Sequence, residues 1–107
     1  MFTRVVELTT KPGKNEQLSA TINDKVLPIL KKQKGFVDEM VLVSDKEDNR
    51  VVGISFWNTR EDAEQYHRTE YAKVQETVRP LLDSEPMIRT FEVHTSTTHK
   101  IATGRAA

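Results

Sequence analysis

A chain of 107 residues is one domain, because two separate cores would each fall below the size at which burial alone stabilises a fold. Sixteen Lys and Arg against sixteen Asp and Glu leave a net charge of zero, which removes the positive field that a nonspecific nucleic-acid or membrane-surface binder needs. With no cysteine, disulfides, thiolate zinc sites, iron–sulfur clusters and a cysteine nucleophile are all excluded.

Residues Phe2 to Leu8 are rich in Val and aromatic side chains and stop at the turn cluster Thr9-Thr10-Lys11-Pro12-Gly13, which predicts a first strand. From Lys14 to about Gln33, Leu18, Ile22, Val26 and Ile29/Leu30 recur every three or four residues, the period of a helix with one buried face. Pro28 is expected to kink that helix, and Gly35 suits a left-handed cap after it. Phe36 to Val43 alternates Phe36, Asp38, Met40 and Leu42 with Val37, Glu39, Val41 and Val43, so strand two follows. A polar turn leads into strand three, Val51 to Trp57, which is apolar on both faces and therefore central. Thr59 is placed to cap a second helix, with a break expected at Thr69-Glu70. Beyond it Tyr71, Val74, Val78 and Leu81/Leu82 mark a buried stripe ending before Pro86. A last strand spans Met87 to about His94.

The order βαββαβ predicts an α+β ferredoxin-like plait over residues 1–94, with two helices on one face of an antiparallel sheet ordered four, one, three, two. Residues 95–107 hold one large apolar side chain, Ile101, and are expected to be a flexible or partner-wrapping tail. No stretch is apolar enough for a membrane span, and the first residues lack a secretory layout, so the expected location is cytoplasmic. An RNA-recognition domain of the same plan would stack bases on aromatic residues of the central strands, but Val52 and Ile54 stand there. Nucleic acid is therefore not an expected partner. With Phe56 they form an apolar strip that a monomer would leave in water, and a second copy of the same sheet is the simplest cover.

Several segments carry a family resemblance: Lys11-Pro12-Gly13-Lys14 before helix one, Lys34-Gly35-Phe36-Val37 before strand two, and Phe56-Trp57-Asn58-Thr59-Arg60-Glu61-Asp62-Ala63 closing strand three. With the βαββαβ plan, they resemble the antibiotic biosynthesis monooxygenase (ABM) domain family of dimeric α+β barrels. The resemblance covers about residues 2 to 94. It implies a homodimer joined through the sheet face. Members include cofactor-free oxygenases of quinols and polyketide aromatics, haem-degrading enzymes and small proteins of other roles.

Strand alternation turns Gly53, Ser55 and Trp57 toward the helices, where two small residues beside a Trp leave room for a flat aromatic ligand. Family members place His nine and fourteen residues after that Trp; the matching positions here hold Tyr66 and Tyr71. A phenol orients a substrate oxygen but is a poor base at neutral pH. Candidate bases are Glu7, in mid-strand on strand one with Arg4, Arg89 or His94 as possible partners, and His67 and His94, whose reference pKa suits the task. The acidic group Asp38, Glu39, Asp45, Glu47 and Asp48 reads as solvated edge and turn and is assigned no chemistry. The three histidines lack ligand spacing, so no metal is expected. Haem-degrading relatives use a strand-one Asn, a helix Trp and an axial His; here there is no such Asn, Tyr66 takes the Trp position and Glu76 that of the His, so no haem is expected. Relatives acting on polyketide aromatics carry Asn where Gly53 stands. The resulting expectation is a cofactor-independent monooxygenase acting on a small electron-rich aromatic, with a non-catalytic homodimeric ligand-binding or stress-related module as the alternative.

Overall fold

The computed structural model describes residues 1–101. Four strands form one antiparallel sheet: β1 (Phe2–Thr9), β2 (Phe36–Val43), β3 (Arg50–Trp57) and β4 (Met87–Glu92). Their order is β2-β3-β1-β4, so β3, read from the sequence as central because it is apolar on both faces, pairs with β1 on one side and β2 on the other. The helices cover one face, giving the ferredoxin-like α+β plait read from the sequence. The core runs between the layers, where Leu18, Val51 and Trp57 are fully buried.

The first helical rod is α1 (Asn15–Thr21), a π-helical turn over Ile22–Val26, and α2 (Leu27–Lys31). Pro28 lacks an N–H and its ring crowds the carbonyl four residues back, that of Asp24. The wider π turn absorbs that conflict, so the rod continues. It also keeps Leu18, Ile22, Val26 and Leu30, each four residues apart, buried together, where a regular α-helix would drift about 40° per step. The rod's start is tied down by Thr10, whose hydroxyl donates to Asn15 Oδ1 at 2.7 Å, while Asn15 Nδ2 donates to the Glu47 carbonyl at 2.9 Å. Gly35 takes φ +79° after the rod, the left-handed conformation that glycine adopts without penalty.

Strand two departs from simple alternation. A bulge between Phe36 and Asp38 pairs Phe36 with Trp57 but Asp38 with Phe56, so Val37 is an extra residue and Phe36 shares the helix-side face with Glu39, Val41 and Val43. An inserted residue reverses the side-chain phase. Phe36 thus meets Trp57 edge-on, ring centres 5.7 Å apart, instead of lying beside Asp38 and Met40 on the open face.

Thr59 caps α3 (Arg60–Thr69) by accepting from the Asp62 N–H at 3.1 Å. Glu70 interrupts the helix, and α4 (Tyr71–Val78) follows, closing in a 3-10 turn at Arg79–Leu81. On one unbroken helix, side chains five residues apart diverge by about 140°. The break lets both Tyr66 and Tyr71 turn to the sheet, their rings edge-to-face at 6.4 Å. After β4, His99 lies 6.0 Å from the Phe56 ring and 3.5 Å from the Asp38 carboxylate, and Ile101 is buried. Residues 102–107 of the expected tail lie outside the described residues.

Candidate functional site

Between the helix layer and the sheet lies a cavity of about 80 Å³. Its walls are apolar: Val6 and Leu8 of β1, Ile22 and Val26 of the π turn, and Val74 and Val78 of α4. Five polar side chains interrupt them, Arg4, Glu39, Ser55, Tyr66 and Tyr71, with Gln75 alongside. Gly53 forms part of the wall, and a Cβ placed on it would meet nothing within 4 Å. The space expected from two small residues on β3 is therefore present.

Gly53, Ser55, Tyr66 and Tyr71 come together here, as their positions in strand and helix predict. Trp57 does not line the cavity. It is completely buried behind Tyr66, whose ring stacks on it at 5.2 Å and 26°. Its Nε1–H donates to Ser55 Oγ at 2.9 Å, which gives the buried indole the partner it needs and leaves the serine hydroxyl proton free to donate elsewhere. Burial pushes the Tyr66 phenol up to about 12, with the neighbouring Arg4 charge opposing the rise. Burial raises Tyr71 as well, again against Arg4. Both phenols are consequently donors at neutral pH.

The three candidate bases lie elsewhere. Glu7 pairs opposite Val52 on the sheet face turned away from the helices, held by Arg89 at 3.4 Å and Arg50 at 3.6 Å. Alternation along β1 puts Arg4 on the opposite face, so that expected partner is excluded, and His94 lies beyond the end of β4. His94 lines a separate cleft with Met1, Asn58 and Arg60. His67 is exposed on the flank of α3, because a one-residue step on a helix turns it about 100° from Tyr66. Its ring stacks on Tyr71 at 4.9 Å, and Nδ1 accepts from an Arg4 Nη1–H at 3.1 Å, the neutral tautomer being assigned by that donor. Desolvation first, then the Arg4 charge, lowers its pKa.

Two cavity residues carry signals that alternation concealed. Glu39, read from the sequence as part of a solvated edge, pairs opposite Ser55 and lines the cavity. Its carboxyl is raised by desolvation and by adjacent Asp38. Arg4 is 5% exposed, with its guanidinium over the Tyr71 ring at 5.1 Å and the Tyr66 ring at 5.4 Å. Among the described residues no carboxylate lies within salt-bridge distance of it, and its buried Nη2 has no hydrogen-bond partner. Also among the described residues, no three His, Asp or Glu side chains converge as metal ligands do, and no helix is long and apolar enough to cross a membrane.

The family model for antibiotic biosynthesis monooxygenase matches residues 1–76. Searching the curated proteins finds no match. Among solved structures, the fold is similar to SnoaB, a cofactor-independent oxygenase from Streptomyces nogalater, at 17% identity and TM-score 0.75, covering 92% of this chain and 97% of that one. It is also similar to a monooxygenase from the gene ActVA-Orf6 of Streptomyces coelicolor, in complex with nanaomycin D, at 15% identity and TM-score 0.75, with 86% of each chain covered. A protein of unknown function from Nitrosomonas europaea matches at 18% identity and TM-score 0.71, covering 86% of this chain and 87% of that one.

Proposed function

Because the chain belongs to the antibiotic biosynthesis monooxygenase family, we propose that it is a cofactor-independent monooxygenase acting on a small electron-rich aromatic, with the cavity between sheet and helices as its active site. The observation that carries this reading is a largely apolar chamber whose few polar groups are a carboxylate, a guanidinium, two phenols, a serine hydroxyl and an amide. Oxygenation without a cofactor requires the substrate to supply the electrons, as a phenol conjugated to a ring methylene does once deprotonated. Overall the CH₂ group and O₂ become a carbonyl and water, the four electrons coming from the ring carbon. The protein's task is to exclude water, remove the phenolic proton and hold the oxygens.

Glu39 takes the base role in place of Glu7, His67 and His94, because it alone among these four lines the cavity. Desolvation moves its affinity for a proton toward the value a base needs near neutrality. Tyr66, Tyr71 and Ser55 donate to substrate oxygens, and Trp57 acts indirectly, fixing Tyr66 by stacking and Ser55 by its hydrogen bond. A cavity of about 150 Å³ holds benzene; this one is smaller, so a ring enters as the partly exposed Tyr71, Gln75 and Pro86 give way. The reading also takes the molecule as a homodimer through its open sheet face.

The test is oxygen uptake by metal-free protein with a panel of quinols and anthrone-like phenols. Uptake above the uncatalysed rate is expected, falling about 100-fold in Glu39→Gln, the lower end of what general-base catalysis supplies. The variant should not melt below the wild type at neutral pH. A carboxyl raised on folding favours the native state below its unfolded pKa and loses that contribution as pH rises through its folded pKa, so removing its charge does not destabilise at pH 7. No uptake across the panel rejects the enzymatic reading. Ligand-induced stabilisation without uptake would instead favour the non-catalytic module, a reading supported by the absence of histidine from the cavity lining among the described residues.

A further inference from the structure

Arg4 is an anomaly that the proposed reaction does not use. A guanidinium has five N–H donors and stays charged, and taking one out of water is costly unless it is paired. Here the protein supplies a neutral imidazole nitrogen, His67 Nδ1 at 3.1 Å, and the faces of two tyrosine rings at 5.1 and 5.4 Å. These hold the group in position without neutralising it. Glu39 lines the same cavity, but it is not within ion-pair distance, and Glu7, the other carboxylate near the middle of the sheet, occupies the opposite face with its own two arginines. Arg4 lines the chamber, and its Nη2 atom is buried and unpartnered among the described residues.

We propose that Arg4 is the anion subsite of this cavity, and that the ligand is a planar aromatic bearing an ionised ring oxygen, a phenolate or conjugated enolate, which accepts a hydrogen bond from Nη2. The ring's edge enters the apolar part between β1, β3 and α4, while its charged oxygen lies against the guanidinium, flanked by the Tyr66 and Tyr71 rings. This favours the ionised oxygen over the neutral phenol within the bound state, so Arg4 stabilises the anion that remains after the proton leaves. It rests on the cavity being the ligand site proposed above, and does not depend on oxygen chemistry.

The probe is 4-nitrophenol, whose phenolate has its own visible absorption, compared with 4-nitroanisole, which has the same ring but no ionisable oxygen. With wild-type protein the phenolate should bind at least tenfold more tightly than the anisole. A pH titration of the bound probe should show its ionisation shifted to lower pH by about one unit, the same tenfold preference read spectroscopically. Arg4→Met should abolish both the preference and the shift, whereas Arg4→Lys should retain part of each because it keeps a charge. Circular dichroism of each variant checks that it is folded, and the wild-type comparison stands even where a variant does not fold. Equal affinity for the two probes, an unshifted ionisation, or no phenolate binding by the wild-type protein would overturn the proposal. Arg4-dependent phenolate binding with no oxygen uptake across the substrate panel leaves the anion subsite standing and removes the monooxygenase reading.

Discussion

Gly53 shows how a single residue shapes the site. Glycine in a strand interior forfeits about 0.5–1 kcal/mol relative to alanine, and here its missing side chain leaves open space. Gly53→Ala should therefore raise the melting temperature by a few degrees, at about 4–8 °C per kcal/mol for a domain of this size, while reducing affinity for 4-nitrophenol at least threefold. A calorimetric scan and a binding titration on the same sample check both. A stabilised variant with unchanged affinity would place the bound ring away from β3. That Gly53, Ser55, Tyr66 and Tyr71 converge was legible from the alternation of β3 and the broken helix. Arg4 and Glu39 were not, because a charged residue on a strand carries the same pattern whether it meets water or a cavity. Only the pairing of Glu39 with Ser55 and the unpartnered Nη2 of Arg4 distinguish the two cases. Trp57 was legible as inward-facing, but alternation does not say that Tyr66 would stand between it and the cavity.

At the scale of elements, the helix-to-strand connection rests on Gly35. Its positive φ costs a residue with a Cβ about 1–2 kcal/mol, and a Cβ there would run into the Asp62 side chain in the first turn of α3. Its carbonyl accepts from the Asn58 N–H at 2.8 Å, so the same peptide joins the end of the first rod to the start of α3. Gly35→Ala should lower the melting temperature by roughly 5–15 °C on that backbone cost alone. In an Asp62→Ala background the same substitution should cost less, because the steric conflict is gone. Gly13 has a similar φ of +74° with open space around it, so Gly13→Ala should show the backbone cost without the clash. If Gly35→Ala and Gly13→Ala destabilise equally, and the Asp62 background changes nothing, the contact between the two connections carries no energy. The cap at Gly35, the break at Glu70 and the Thr59 cap followed from residue type. The π turn and the bulge at Val37 did not, since each is a compromise between a local rule and packing: proline's missing N–H against one continuous buried stripe, and strand alternation against the burial of Phe36 beside Trp57.

For the whole molecule, periodicity gave the element order, and the βαββαβ plait it implies gave the strand order and the uncovered face, whereas the cavity's size depends on how far the two layers stand apart, which no local pattern encodes. The open face displays Met40, Leu42, Met87 and Phe91, each 47–52% exposed, around Val5, Val52 and Ile54 on the central strands. Four strands about 4.8 Å apart and eight residues of about 3.3 Å each give a face of roughly 500 Å². Two such faces reach about 1,000 Å², the threshold of a specific interface. His99 packs over Phe56 at one end and leaves those four side chains open, so the proposed partner is a second copy related by a two-fold axis, each strip covering the other. Sedimentation at micromolar concentration should give a dimer. Leu42→Glu combined with Phe91→Glu puts like charges on both sides of that contact, while both positions are exposed in the single chain, where surface changes shift stability by only about 0.5 kcal/mol each. The double variant should therefore sediment as a folded monomer with an unchanged circular dichroism spectrum. A wild-type monomer would remove the proposed dimer, and a double variant that remains dimeric would place the interface on another surface; either leaves the apolar strip without its proposed cover.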